Sequence, residues 1–287
     1  MSLYTIITDA GCDIPKEVLD GWQVKCLKLY VHFTDCDLPA DDMDADTFYD
    51  ALRAGHTAMT SAINLDGYTK AFREELENGR DVLYLGFSSG LSGTVYTAQS
   101  AAKALEEEFP ERRVIALDSL CGSVGLGLLT KIAVGLRDNG ATLMQVCEQL
   151  ESVIPYLCHW FTVDDLMHLK RGGRLKPTAA ILGTVLNIKP VLHMDHTGHL
   201  VATGKVRGRK AAIRALAEKY DTLHDSAHSG FYAISYGGCL EDDAYALQEL
   251  MQTRTSRPPV LLYPIGPVIG AHSGPGTLAL YFIGKER

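Results

Sequence analysis

Three short apolar runs, LYTIIT (3–8), DVLYLGF (81–87) and RRVIALD (112–118), each give way within a few residues to a segment of helical periodicity. A strand that is apolar on both faces needs cover on both. Strands alternating with helices supply that cover as parallel βαβ units. This alternation restricts the chain to the α/β class more than any other feature. Between these runs the pattern predicts a short helix from Pro15, a strand over 24–33, and helices over 47–54, 65–77, 94–108, 123–138 and 141–156. Pro15 suits a first helical turn, and Gly55 and Gly79 suit helix ends.

The texture changes near residue 159. IKPVLHM (188–194) and HLVATGKV (199–206) flank a DHTG turn and read as a hairpin. A basic-headed helix (207–223), a strand (230–238), a helix beginning at DDAYALQELMQTR and a strand (259–266) follow. The end reads as a Gly/Ser loop, GPVIGAHSGPG, leading into a last strand. At 287 residues the chain is long enough for two domains. They are expected at 1–158, with a Rossmann-like parallel sheet, and at 159–287, an α/β unit with a mixed sheet.

Charge narrows the partners. With 27 Lys and Arg against 35 Asp and Glu, the formal charge is −8, which argues against broad nucleic-acid or anionic-membrane binding. The start, MSLYTIITDAGCD, has no basic leader and no long apolar segment, and no run is long enough to span a bilayer. The seven cysteines are odd in number, form no CxxC pair and sit among mostly apolar neighbours, so reduced thiols in a cytoplasmic protein are expected.

Several segments carry chemistry on more than one reading. Gly86-Phe87-Ser88-Ser89-Gly90 is a literal GxSxG after a strand, and His272 lies late in the chain, as in a serine hydrolase with Asp118 or Asp195 as third member. LSGT, however, separates Ser88 from the next helix, where a nucleophile elbow enters its helix at once. The same loop, SSGLSGT (88–94), joins a strand end to a helix start. There, backbone N–H groups and the hydroxyls of Ser89, Ser92 and Thr94 suit an anion. Ser92 is equally a helix cap. Thr60-Ser61 is read at another loop-to-helix start, again as donors or as a cap. Asp9 and Asp118 stand at strand ends, where they either anchor loops or approach a cation. His193, His196 and His199 are spaced by three, but on a hairpin that spacing sends them apart. Lys170-Arg171-Gly172-Gly173-Arg174, with Arg207, Arg209 and Lys210, forms a basic surface for an acidic or phosphate-bearing partner, or a solvated charge run.

Seven ordered segments, TDAGCD (8–13), TSAIN (60–64), SSGLSGTVYTAQSA (88–101), ALDS (116–119), TVDDLMHLKRGGRL (162–175), LNIKPVL (186–192) and IGPVIGAHSGPGTLAL (265–280), resemble the DegV family of bacterial fatty-acid-binding proteins over nearly the whole chain. The resemblance implies two α/β domains with a long acyl chain in a tunnel between them. Its carboxylate would be held by Thr60, Ser92 and His272, with Ser61, Ser89, Gly93, Thr94 and Ser273 around them. It also implies a binding protein with no catalytic residues, cofactor or metal, presenting the acyl carboxylate to a separate fatty acid kinase. Arg171 and Arg174 are then candidates for docking that partner or for handling the acyl phosphate. A monomer is expected. The alternatives are a serine hydrolase using Ser88 and a carrier of a different lipid.

The chain departs from the family at Ala62-Ile63-Asn64, where members commonly have Gln-Pro-Ser, and at Ala10-Gly11-Cys12. Both changes bear on local loop shape and ligand preference. Each buried CH₂ contributes ~0.8 kcal/mol, so a sixteen-carbon chain offers on the order of 10 kcal/mol before ordering costs, and the head group mainly orients it. Phe87, Leu91, Ile181, Ile188 and Val268 are the expected wall residues.

Overall fold

The computed structural model describes residues 4–36, 43–175, 187–225, 231–238 and 240–287. The first half contains β1 (Tyr4–Asp9), α1 (Lys16–Gly21), β2 (Val24–Leu27), β3 (Tyr30–Phe33), α2 (Ala45–Arg53) and β4 (Ala58–Ser61). It continues with α3 (Leu65–Glu77), β5 (Asp81–Gly86), α4 (Thr94–Glu108), β6 (Val114–Asp118), α5 (Val124–Asp138) and α6 (Leu143–Val153). The second half contains β7 (Leu157–Thr162), α7 (Met167–Arg171), β8 (Ile188–Met194), β9 (Leu200–Arg207) and α8 (Arg209–Leu223). It ends with β10 (Tyr232–Tyr236), α9 (Glu241–Gln252), β11 (Leu261–Pro264), α10 (Pro267–Ser273) and β12 (Leu278–Ile283).

The apolar runs of the first half form a parallel sheet in the order β2-β1-β5-β6. One face packs on α3 and α4 through Ile7, Phe72, Tyr84 and Leu105. The other packs on α5, whose Val124, Leu126, Leu128 and Leu129 are buried on several sides. A helix apolar all round belongs between two layers. The second layer is a mixed sheet, β11-β10-β12-β7-β8-β9, with β10–β11 its parallel pair. Helices α8 and α9 cover its far face through Ile213, Leu216, Ala244 and Leu247. The chain enters this sheet at Leu157, so the boundary expected at 158/159 falls inside β7. Among the described residues, no helix is long and apolar enough to cross a membrane.

Four local expectations are corrected. Residues 24–33 form two strands, interrupted at Lys28-Leu29; β2 joins the parallel sheet, while β3 pairs antiparallel with β4 in a separate ribbon. Alternation explains the split: Val31 and Phe33 point inward and Tyr30 and His32 outward, the phase of a half-buried strand. Thr60-Ser61 therefore ends a strand, and Asn64, at one of the family departures, accepts from Gly67 N–H at 2.9 Å as the cap of α3. The terminal Gly/Ser segment is not all loop. Pro267 opens α10, Gly274 with φ +75° closes it, and His272 sits in its last turn. The helix expected over 141–156 is shorter, running 143–153 into a 3₁₀ turn, with Thr142 and Gln145 closing a capping box at its start.

Candidate functional site

A cavity opens beyond the C-terminal ends of β5 and β6, where ligand clefts form in open parallel sheets. It encloses about 1050 Å³ of empty space, part of it open to solvent. The mixed sheet makes the opposite wall. Phe87, Leu91, Phe161, Met194, Leu200 and Val268 give it an apolar lining. Of the expected wall residues, Phe87, Leu91 and Val268 are in place, Ile188 is not in the lining, and Ile181 lies outside the described residues.

Polar groups gather where β4, the β5–α4 loop, the turn after α7 and helix α10 meet. Thr60 Oγ1 lies 2.8 Å from His272 Nε2, the two residues being 212 positions apart in sequence. Burial, reinforced by the charge of Arg174, pushes the His272 pKa down to about 4, so the imidazole is neutral at pH 7. In the tautomer whose Nε2–H donates to Thr60, the threonine proton is left to point at an anion; in the other, Thr60 donates to Nε2. His272 Nδ1 and Ser273 Oγ are buried without a hydrogen-bond partner. Ser92 Oγ accepts weakly from Thr94 N–H (3.4 Å) and Thr94 O–H (3.3 Å), and neither bond uses the Ser92 proton. The residue that caps α4 is Gly93, which makes no side-chain bond.

Thr60, Ser61, Ser92, Thr94, His272 and Ser273 line the cavity together. Ser89 and Gly93 do not: Ser89 N–H donates to Asp118 Oδ1 at 3.1 Å, and Gly93 is exposed at the start of α4. Arg171 is exposed on α7. Arg174, expected beside it as a docking residue, reaches the cavity wall half-buried. Its Nε donates to Leu91 O at 3.2 Å and its Nη1 to Gly172 O, and burial draws its pKa below the ordinary guanidinium value. The basic turn is thus split between surface and cavity: Arg174 lies in the cavity wall near the head-group cluster, where a role toward the acyl phosphate was one expectation, and Arg171 does not.

The competing motifs resolve into structural roles. The Ser88 hydroxyl is buried and donates to Gly198 O at 2.9 Å, tying the loop to the β8–β9 turn, while His272 is engaged with Thr60. Asp9 accepts from Tyr84 O–H (2.6 Å), Phe87 N–H (3.0 Å) and Gly11 N–H (2.9 Å), and Asp118 from Ser89 and Leu120 N–H. Both aspartates anchor loops. His193 stacks on Trp160 with centroids 4.8 Å apart, while His199 Nδ1 meets Thr197 Oγ1 at 2.9 Å. Among the described residues, the ligand atoms able to converge on a metal are those of Asp35, Cys36 and His56, within 4.8 Å of one another, and none of these residues lines the cavity. Ser123, His159 and Tyr281 also form part of the wall. No motif marks them, because each sits in or beside an element whose apolar pattern already accounts for it.

A family model described as "Uncharacterised protein, DegV family" matches residues 4–285. A DegV domain-containing protein of Clostridium perfringens is 34% identical over 291 residues, covering 100% of this chain and 99% of that protein. A solved structure described as fatty acid binding of a DegV family protein from Thermus thermophilus superposes with a TM-score of 0.84 at 31% identity, covering 99% of this chain and 100% of the other. DegV of Bacillus subtilis, described as a fatty acid binding protein, gives 0.81 at 29% identity, with 99% and 100% covered.

Proposed function

This chain belongs to the DegV family, and on that premise we propose that it binds a long-chain fatty acid, acyl chain in the apolar cavity and carboxylate at the Thr60–His272 end. One observation carries the reading: a cavity with mostly apolar walls ends at a cluster of hydroxyls gathered around the Thr60–His272 hydrogen bond, with Arg174 beside them. Apolar walls provide the affinity, since each buried CH₂ contributes ~0.8 kcal/mol. Thr60, Ser92 and Ser273 donate to the carboxylate, and Arg174 supplies the nearby positive charge. Solved relatives at 31% and 29% identity are described as fatty acid binding, which supports the same ligand class here.

The protein is a carrier rather than an enzyme on this reading. A carboxylate held by a few hydroxyls at the cavity opening stays reachable by a partner. The natural acceptor of such a complex is a separate fatty acid kinase that phosphorylates the carboxylate at the expense of ATP. Exposed Arg171 is the docking contact, and Arg174 spans both roles. A cytoplasmic monomer fits this traffic.

Native mass spectrometry of protein purified from cells tests the reading. A co-purifying C14–C20 acid is expected, confirmed in kind by lipid analysis after denaturing extraction. A clean apo mass that does not increase when fatty acid is added would overturn it.

A further inference from the structure

The cavity carries a second polar region, remote from the first. Thr277, Ala279 and Tyr281 all line it, as alternate residues on one face of a strand do. Thr277 lies beside the head-group cluster, its Oγ1 donating to the carbonyls of Ser273 (3.3 Å) and Gly274 (3.0 Å). Tyr281 is four residues further along, a distance of about 14 Å at ~3.4 Å per residue. An extended hydrocarbon with bonds near 1.5 Å advances roughly 1.25 Å per carbon, so an acyl chain lying along this strand from Thr277 would reach Tyr281 after about eleven carbons.

Opposite Tyr281 in the β7–β12 register stands His159, edge to face with ring centroids 5.1 Å apart. Both its nitrogens are used: Nδ1–H donates to Leu157 O at 3.0 Å and Nε2 accepts from Gly122 N–H at 3.4 Å. Tyr281 differs. Its hydroxyl meets Ser235 Oγ at 2.8 Å, Ser235 Oγ meets Ser123 Oγ at 3.3 Å, and Ser123 donates to Asp13 Oδ2 at 2.6 Å. The Asp13 carboxylate also accepts from Gly266 N–H at 2.9 Å. A row of hydroxyls ending on a carboxylate has one consistent order, with every O–H directed toward Asp13. That order uses the Tyr281 proton and leaves a second lone pair on the oxygen of a residue that lines the cavity.

We infer that the cavity is matched to an acyl chain bearing a hydroxyl about ten to twelve carbons from its carboxylate, the hydroxyl donating to Tyr281. This rests on the fatty-acid reading and narrows it. An acceptor so far from the head group serves no purpose toward a plain alkyl chain.

Binding of octadecanoic acid and of its 6-, 10- and 12-hydroxy derivatives, measured calorimetrically at pH 8.5, tests this. Asp13 is then ionised, since burial lifts its pKa only to about 7; the titratable groups facing it are Asp9, Tyr49 and Tyr281. The better of the 10- and 12-hydroxy acids is expected to bind at least about tenfold more tightly than the 6-hydroxy acid, whose hydroxyl is buried unpaired. Tyr281→Phe should bring that ratio within about twofold. Equal binding of the isomers by a wild-type protein that binds octadecanoic acid overturns the inference, as does an unchanged ratio in Tyr281→Phe. Failure to bind octadecanoic acid at all overturns the fatty-acid reading itself. Should Tyr281→Phe not fold, the wild-type isomer ratio decides.

Discussion

Gly172 lies against the imidazole of His272: a β-carbon on Gly172 would stand 2.5 Å from Nδ1. The turn after α7 thus covers the edge of the ring that Thr60 does not hold. His272 is fixed from both sides, by a hydrogen bond to β4 and by backbone from the basic turn. Its buried, unpartnered Nδ1 is the consequence.

Gly172→Ala should therefore act on the head group. The φ of Gly172, −69°, suits any residue, so the cost is steric and falls on the ring. Displacing His272 breaks its bond to Thr60. Affinity for octadecanoic acid is expected to fall about tenfold or more, with the fold retained. Titration calorimetry beside a thermal melt checks this, and full affinity in the variant would show that the ring position is irrelevant to binding.

His272→Ala and Ser92→Ala should separate head group from tail. Hydrogen bonds to a charged group contribute about 1.5–3 kcal/mol, so the fatty acid should lose roughly tenfold to a hundredfold in affinity. The matching alcohol carries no charge and should lose much less. Parallel titrations with octadecanoic acid and octadecanol make the comparison; equal losses would put carboxylate recognition elsewhere.

Ser88→Ala should cost stability and spare function. The hydroxyl bonds to Gly198 O, and a β-carbon on nearby Gly90 would lie 2.5 Å from the Gly198 carbonyl carbon, so loop and hairpin turn are closely fitted. Losing the bond leaves a buried acceptor and is expected to destabilise by about 1–3 kcal/mol. Urea unfolding measures that. Octadecanoic acid binding should stay within about threefold, and a fluorophosphonate probe should not label the wild type. Labelling at Ser88 would restore the hydrolase reading.

Two opposed pH effects act on stability. Burial lowers His272 to about 4 and His159 well below the usual imidazole value. The unfolded chain then binds more protons between pH 4 and 6.5, and acidification through that window destabilises the fold. Burial raises Asp13 from 3.8 to about 7. There the folded chain holds the extra proton, so its contribution is most favourable below pH 4 and is lost as pH rises toward 7. Asp13→Asn removes only the second effect. The variant should lose stability more steeply than wild type between pH 7 and 4, by up to about 1.4 kcal/mol per pH unit. Urea melts across that range check it; parallel profiles would mean that Asp13 does not titrate there.

What was legible in the sequence is what depends on neighbours along the chain. Apolar runs alternating with helical periodicity disclosed the parallel sheet, and the span 94–108 coincides with α4. The hydroxyl- and glycine-rich segments also marked Thr60, Ser92 and His272, which do line one cavity. Local pattern failed where a distant partner decides the conformation. Residues 58–61 are a strand because β3 lies beside them, and the strand breaks at Lys28-Leu29 because β2 and β3 pair in different sheets. Arg174 enters the cavity wall, while Arg171 stays outside on α7. The chain of hydroxyls from Tyr281 to Asp13 joins residues from both ends of the sequence, and none of them is unusual in its own segment. Periodicity records which face of an element is buried. Which groups meet across that buried surface is settled only when the two sheets close on α5, because hydrogen bonds and desolvation act over a few ångströms of space whatever the separation in sequence.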